Sequence, residues 1–153
     1  MNIEVYMNDD IREGAMKALK YRLFQTGWEL GVVYRNIKFE DVDINVPVIL
    51  IAIVEGIPVA SAIHIDDLYY DGCDFQIFVR KSYRRKGIGS ALYNEMMKIL
   101  NRTEPLRMWH DHSRAAECFY NKNRNKLLYI SEDKQDDFVE IEVSLEKSEK
   151  QLV

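Results

Sequence analysis

Apolar residues along this chain change their spacing several times, and each change marks an element. Ile3-Glu4-Val5-Tyr6-Met7 alternates well enough for a first, half-buried strand. Ile11, Ala15, Leu19 and Leu23 then recur at a four-residue step, the spacing of one helix face, with Asn8 or Asp9 placed to cap the start. Gly27 and Gly31 bracket Trp28, Glu29 and Leu30, which read as a break or a short second helix. Residues 46–54 form the longest apolar run, interrupted by Pro47 and too short to cross a bilayer, so they read as a central strand. With the turn Glu55-Gly56 and residues 57–65 they make a hairpin.

Residues 66–72 are a loop, and 76–79 are a short, apolar, partly β-branched strand. Ile88, Ala91, Leu92, Met96 and Ile99 return to helical spacing, with Asn94, Glu95 and Lys98 off that stripe and no proline before Pro105. Residues 106–110 read as a strand, 113–122 as a helix, and 126–130 with 138–145 as a closing antiparallel pair. The predicted order is β-α-α-β-β-β-α-β-α-β-β. That makes one α/β (α+β) domain over residues 1–145, followed by a charged tail, 146–153, that frays.

The chemistry concentrates between the strand at 76–79 and the helix that follows. Arg80, Lys81, Arg84, Arg85 and Lys86 put five cations into seven residues, and Gly87 and Gly89 follow at the helix start. A helix N-terminus offers unpaired N–H groups and the positive end of its dipole, so it binds phosphate readily. The two glycines let a pyrophosphate approach those amides, and the cations add charge-assisted contacts. The Gly-x-x-x-x-Gly-Lys-Ser/Thr loop of nucleoside-triphosphate sites is absent, and Leu92 stands where a dinucleotide fingerprint needs its third glycine.

What the spacing does fit is Arg84-x-x-Gly87-x-Gly89, preceded by Val79 and followed by Ala91-Leu92. This resembles the acetyl-coenzyme A signature of the Gcn5-related N-acetyltransferase (GNAT) superfamily. Ala115-Ala116-Glu117-Cys118-Phe119-Tyr120 is similar to a second segment of that family, in its penultimate helix. The resemblance covers residues 58–145; the first 57 residues match in pattern only. It implies a GNAT-like fold, with a central, mixed, mostly antiparallel sheet of six to seven strands flanked by about four helices. It also implies acetyl transfer from acetyl-coenzyme A to a primary amine of a small molecule or protein. A non-catalytic protein of the same fold that binds coenzyme A or another polyphosphate is the alternative.

Within that resemblance, Ile77, Phe78 and Val79 line the cofactor arm, on a splayed or bulged strand whose N–H groups serve the arm and the oxyanion. Arg84, Arg85, Lys86, Gly87, Ile88, Gly89 and Ser90 hold the pyrophosphate, and Ser113 stands where family members often carry an asparagine beside the arm. Tyr120 is the expected acid for the leaving thiolate. A lysine-like amine with pKa ~10.4 costs roughly 4.6 kcal/mol to deprotonate at neutral pH, so a base or desolvation must offset that cost. The family's usual strand glutamate is replaced by Cys73, which leaves Asp74, then His64, or a water held by them. Arg124-Asn125 replaces the family's Gly-Phe, and Lys81 its common proline.

Composition narrows the remaining choices. A chain of 153 residues with 47% hydrophobic content can bury one core, and its net charge of −4 argues against nucleic acid as a partner despite the basic loop. Cys73 and Cys118 make no disulfide framework and read as small apolar fillers, and the default compartment is the reducing cytoplasm. The start of the chain shows no signal peptide pattern, and no membrane association is expected. His110 and His112 share one side of a strand but have no third ligand by spacing, so no metal is expected. Trp28, Tyr34, Tyr69 and Tyr70 are candidates for the acceptor pocket. Glu29, Glu40, Asp41, Asp43, Asp66 and Asp67 would favour a cationic amine there. A sheet edge or the first helices could carry a homodimer contact.

Overall fold

The computed structural model describes residues 1–24, 27–38, 44–66, 74–110 and 127–131; at 27, 28, 108–110 and 127–131 it describes the backbone alone. Strands β1 (Asn2–Met7), β2 (Val48–Val54), β3 (Ile57–His64) and β4 (Phe75–Val79) form a four-stranded sheet in that order, each antiparallel to the next. The β2–β3 hairpin turns on Glu55 and Gly56, whose φ values of 51° and 78° are both left-handed. That pair of conformations suits a two-residue hairpin loop, because its twist matches that of the flanking strands.

Helices cover both faces of this sheet. On one, α3 (Ile88–Leu100) packs Ile88, Leu92, Tyr93 and Met96 against Val48, Leu50, Ala52, Ala60, Ala62 and Phe75. On the other, α1 (Ile11–Lys20) and α2 (Gly27–Lys38) bring Ala15, Ala18, Val32 and Val33 against Ile49, Ile51, Ile63 and Ile65. With both faces covered, β2 is apolar at successive positions instead of alternating, hence the continuous run in the sequence. Burying each Leu, Ile or Val of these two clusters contributes about 1.5–3 kcal/mol.

The start and end of α1 depart from the sequence pattern. Asn8 and Asp9 lie in a 3₁₀ turn, Asn8–Asp10, so neither caps the helix; Asp10 occupies the cap position without a side-chain bond. Leu23 falls beyond the helix, yet it is only 2% exposed. Arg22 takes a left-handed φ of 51°, and the bonds Leu23 N–H to Ala18 O (2.9 Å) and Arg22 N–H to Leu19 O (3.1 Å) fold the chain back into the same core. These two bonds are the Schellman closure of a helix end. The second helix is twelve residues long. Buried Val32 and Val33 anchor it past Gly31.

Two contacts lock α1 to β1. A Cβ on Gly14 would stand 2.6 Å from both Cβ and Cγ of Tyr6, so only glycine permits this approach. Nearby, Lys17 Nζ and Tyr6 Oη each donate to Glu4 Oε1 at 2.6 Å. The Lys17 hydrogen bond, followed by that of Tyr6, holds the Glu4 carboxyl below its ordinary range; the same carboxylate raises the Lys17 ammonium. Tyr6 is raised by burial first and by Glu4 second.

Strands β5 (Leu106–His110) and β6 (Leu127–Ser131) pair in parallel as a separate two-stranded sheet. The expected single mixed sheet is therefore two sheets among the described residues, and β6 finds its described partner in β5. Those residues hold six strands and three α-helices. The helix expected at 113–122 and the strand expected at 138–145 lie outside them. None of the described helices is long and apolar enough to cross a membrane.

Candidate active site

The segment between β4 and α3 forms a turn, a candidate anion cradle, ahead of the helix. Arg80 N–H bonds Val59 O (2.9 Å) as the last rung beside β3, and a 3₁₀ turn, Lys81–Tyr83, follows. Arg85 (φ 64°) and Gly87 (φ 83°) are both left-handed. Left-handed residues at this spacing turn neighbouring N–H groups toward one side, a concavity suited to anions. The first intrahelical bond of α3 is Ala91 N–H to Gly87 O at 3.0 Å. The N–H groups of Ile88 and Gly89 precede that bond and stand at the positive end of the helix.

The five cations do not form a uniform phosphate patch. Arg80 Nη2 donates to the Tyr21 carbonyl at the end of α1 (2.6 Å), a partner outside its expected phosphate role. Arg84 bends back over the strand, with Nε on the Val79 carbonyl (2.7 Å) and its guanidinium 5.9 Å from the Phe78 ring centre. Lys86 Nζ lies 5.5 Å from the centre of the Tyr83 ring. The cradle is thus built mainly of backbone, with Lys81 and Arg85 exposed at its rim.

Strand β4 offers a second backbone surface. The bonds Ile65 N–H to Asp74 O and Arg80 N–H to Val59 O fix which β4 residues face β3: Asp74, Gln76, Phe78 and Arg80. By the alternation of an antiparallel ladder, the N–H and C=O groups of Phe75, Ile77 and Val79 point the other way. No ladder joins that edge to β5. The outward N–H and C=O of Ile77 and the N–H of Val79 can pair with an extended amide-bearing chain as an added strand does, while the Val79 carbonyl already accepts from Arg84 Nε. Ile77, Phe78 and Val79 are each partly buried there.

At the other end of β4, Asp74 gathers four residues from three segments. Its N–H bonds Arg107 O (3.0 Å), and its carbonyl accepts from Ile65 N–H (3.0 Å) and from His64 Nδ1 (2.8 Å). Its Oδ1 accepts from Arg107 N–H (2.6 Å), and its Oδ2 pairs with Arg102 Nη1 (2.6 Å). A carbonyl only accepts, so the bonded hydrogen sits on His64 Nδ1, and in the neutral ring the lone pair is on Nε2. His64 lines a cleft of about 380 Å³ with Leu100, Asn101, Arg102, Thr103 and Glu104. The structure thus joins Asp74 and His64, and sets them at the opposite end of β4 from the cradle. Tyr120, Ser113, Cys73 and Cys118 lie outside the described residues, as do Glu40, Asp41, Asp43, Asp67, Tyr69, Tyr70 and His112.

Glu29 is 7% exposed, on α2. Ser61, 6% exposed on β3, donates to the Leu23 carbonyl at 2.7 Å. Sequence reading passed over Ser61 and Arg102; the only trace of Arg102 is its position after Asn101, whose left-handed φ of 49° closes α3. Among the described residues no group of three or more His, Cys, Asp or Glu is placed to hold a metal ion.

Two solved structures are similar to this chain. A ribosomal-protein-alanine N-acetyltransferase from Brucella melitensis biovar Abortus has 16% identity and a TM-score of 0.46, over 80% of this chain and 90% of that one. A probable acetyltransferase of unknown function from meticillin-resistant Staphylococcus aureus has 17% identity and a TM-score of 0.44, over 79% and 87%. No curated protein matches the sequence. The sequence model of the acetyltransferase (GNAT) domain matches residues 47–123, from the start of β2 through the cradle and past β5. That match spans half of the chain, and the protein belongs to the GNAT acetyltransferase family.

Proposed function

We propose that this protein is an acetyl-coenzyme A-dependent N-acetyltransferase that passes the acetyl group directly to a primary amine. The observation that carries the reading is one continuous backbone surface: the left-handed turn at Arg85 and Gly87, the open N-terminus of α3, and the outward edge of β4. The cradle suits a diphosphate, and the Ile77 and Val79 edge suits an amide-bearing arm of coenzyme A. Outward N–H groups on β4 would also steady the oxyanion as the amine nitrogen attacks the thioester carbonyl.

Two further roles belong to the same proposal. Tyr120 protonates the leaving thiolate, and His64, with its lone pair on Nε2, takes the amine proton through water. The Asp74 carboxylate is already engaged by Arg102 and by Arg107 N–H, so Asp74 acts by holding the backbone that orients His64. The acceptor is a small-molecule or protein amine.

Isothermal titration with coenzyme A, followed by thioester consumption against a panel of primary amines, tests the reading. Binding together with amine-dependent release of coenzyme A supports it. Binding with no turnover on any amine favours a non-catalytic coenzyme A protein, and absence of binding overturns both.

A further inference from the structure

Asp74 interrupts a ladder. Paired with Ile65 in an antiparallel sheet, it would exchange two backbone bonds with that residue. Only one is made, Ile65 N–H to Asp74 O at 3.0 Å; the Asp74 N–H turns instead to Arg107 O on β5, also at 3.0 Å. The Asp74 side chain then takes the Arg107 N–H, at 2.6 Å, where a backbone carbonyl would continue a parallel ladder. Beyond this point β4 pairs with β3 and β5 pairs with β6, so the two strands are joined at their starts and share no ladder afterwards.

Arg102 fixes the joint from the α3–β5 turn. Its Nη1 pairs with Asp74 Oδ2 (2.6 Å), while Nε and Nη2 donate to the carbonyls of Glu104 and Pro105, both at 3.1 Å. One guanidinium therefore shapes the turn leading into β5 and ties it to the first residue before β4. The ion pair is partly shielded, at 25% and 18% side-chain exposure, and its planar, charge-assisted geometry resists sliding.

We propose that the Asp74–Arg102 clasp is a positioning device: it sets how far β4 and β5 stand apart, and so how the acyl-bearing arm of the thioester seats between them. This rests on the acetyl-coenzyme A reading above. The cradle at Arg85–Gly87 lies at the far end of β4, so the clasp acts on the arm and leaves the diphosphate alone. His64 bonds the Asp74 backbone carbonyl, an acceptor that a side-chain change leaves in place.

Two ligands separate these effects: acetyl-coenzyme A, and 3′-phospho-ADP, which has the diphosphate head without the arm. Asp74→Asn, Arg102→Gln and Arg102→Lys are titrated with both, with thermal melting of each variant alongside. The expected result is acetyl-coenzyme A binding weakened about tenfold in Arg102→Gln and kcat reduced up to about 100-fold, as for a misplaced reactant. Affinity for 3′-phospho-ADP should stay within about twofold, and Arg102→Lys should recover part of the loss, because it restores charge without the fork. If both ligands weaken in parallel, or neither does, the clasp is only structural and the proposal falls. Should Asp74→Asn fail to fold, Arg102→Gln decides, since it leaves the Asp74 carboxylate on Arg107 N–H. A native protein that binds neither ligand overturns the cofactor reading, and the clasp with it.

Discussion

Arg80 Nη2 donates to the Tyr21 carbonyl at 2.6 Å, which ties one cation of the basic loop to the end of α1. A cation at a helix C-terminus meets the negative end of the dipole and an otherwise unpaired carbonyl. Ser61 does the same for Leu23 from β3. Together they fasten the chain leaving α1 to the strands that carry the site.

Arg80→Gln should consequently cost stability and spare the cofactor. Loss of a charged hydrogen bond lowers unfolding free energy by about 1–2 kcal/mol, read by urea denaturation. The coenzyme A Kd should stay within about twofold. A large loss of affinity at unchanged stability would return Arg80 to the phosphate site.

The two glycines of contrasting geometry give a paired test. Gly87 holds φ at 83°, so Gly87→Ala forces a side chain into the left-handed region, at about 1–2 kcal/mol, and distorts the cradle. Coenzyme A binding should fall about tenfold or more by titration. Gly31 lies inside α2 with nothing within 4 Å of a built Cβ. Gly31→Ala should stabilise the protein by about 0.5–1 kcal/mol and leave binding untouched.

Gly14→Ala has the opposite sign to Gly31→Ala, although both sit in helices. The new methyl would meet Tyr6 Cβ and Cγ at 2.6 Å, atoms too near the β1 backbone to move away cheaply. Overpacking of this kind costs about 1–3 kcal/mol and outweighs the gain in helix propensity. Thermal melting should show a drop of several degrees, about 2–4 °C per kcal/mol for a chain of this size. An unchanged melting temperature would mean that α1 shifts freely on β1.

The Glu4–Lys17 pair should make stability depend on pH at both extremes. The Glu4 carboxyl is lowered in the fold, so its contribution is complete above its ordinary 4.5 and is lost as pH falls through the folded value. Lys17 is raised, so its contribution is complete below its ordinary 10.5 and is lost as pH rises past the folded value. The pair is partly exposed, and Lys17→Met should cost no more than about 1 kcal/mol on the plateau between those limits. Denaturation curves across pH should show the wild-type advantage shrinking on both sides; a constant difference would remove the pair as its source.

Tyr120→Phe should lower kcat with little change in coenzyme A affinity, because the proposed role sets the hydroxyl on the leaving thiolate and not on the diphosphate. His64→Gln should lower kcat with little change in coenzyme A affinity, because His64 lies at the opposite end of β4 from the cradle. Loss of cofactor binding in Tyr120→Phe would refute the assigned role.

Local spacing made much of this protein legible. The run at 46–54, the Glu55-Gly56 turn and the stripe Ile88–Leu92–Met96 report which faces are covered, and burial is periodic along any strand or helix. Arg84-x-x-Gly87-x-Gly89 announced a helix start for a similar reason: the left-handed turn that opens α3 falls within a few consecutive residues. The helix at Gly27–Lys38 was harder to read, because its two glycines mimic a break while buried Val32 and Val33 hold it together.

Contacts between distant residues obey no such periodicity. Asp74 meets Arg102 and Arg107 about thirty positions away, and Arg80 meets Tyr21 across fifty-nine. Nothing near Asp74 in the chain distinguishes a carboxylate available for proton transfer from one engaged in an ion pair. Nothing near Arg80 says that its charge serves a helix end. Chain order dictated the described elements and the left-handed turn ahead of α3, whose interactions are short-range. Folding gave Arg80, Asp74 and Arg102 their partners and left β4 and β5 without a shared ladder, because those outcomes depend on segments that meet only in the packed structure.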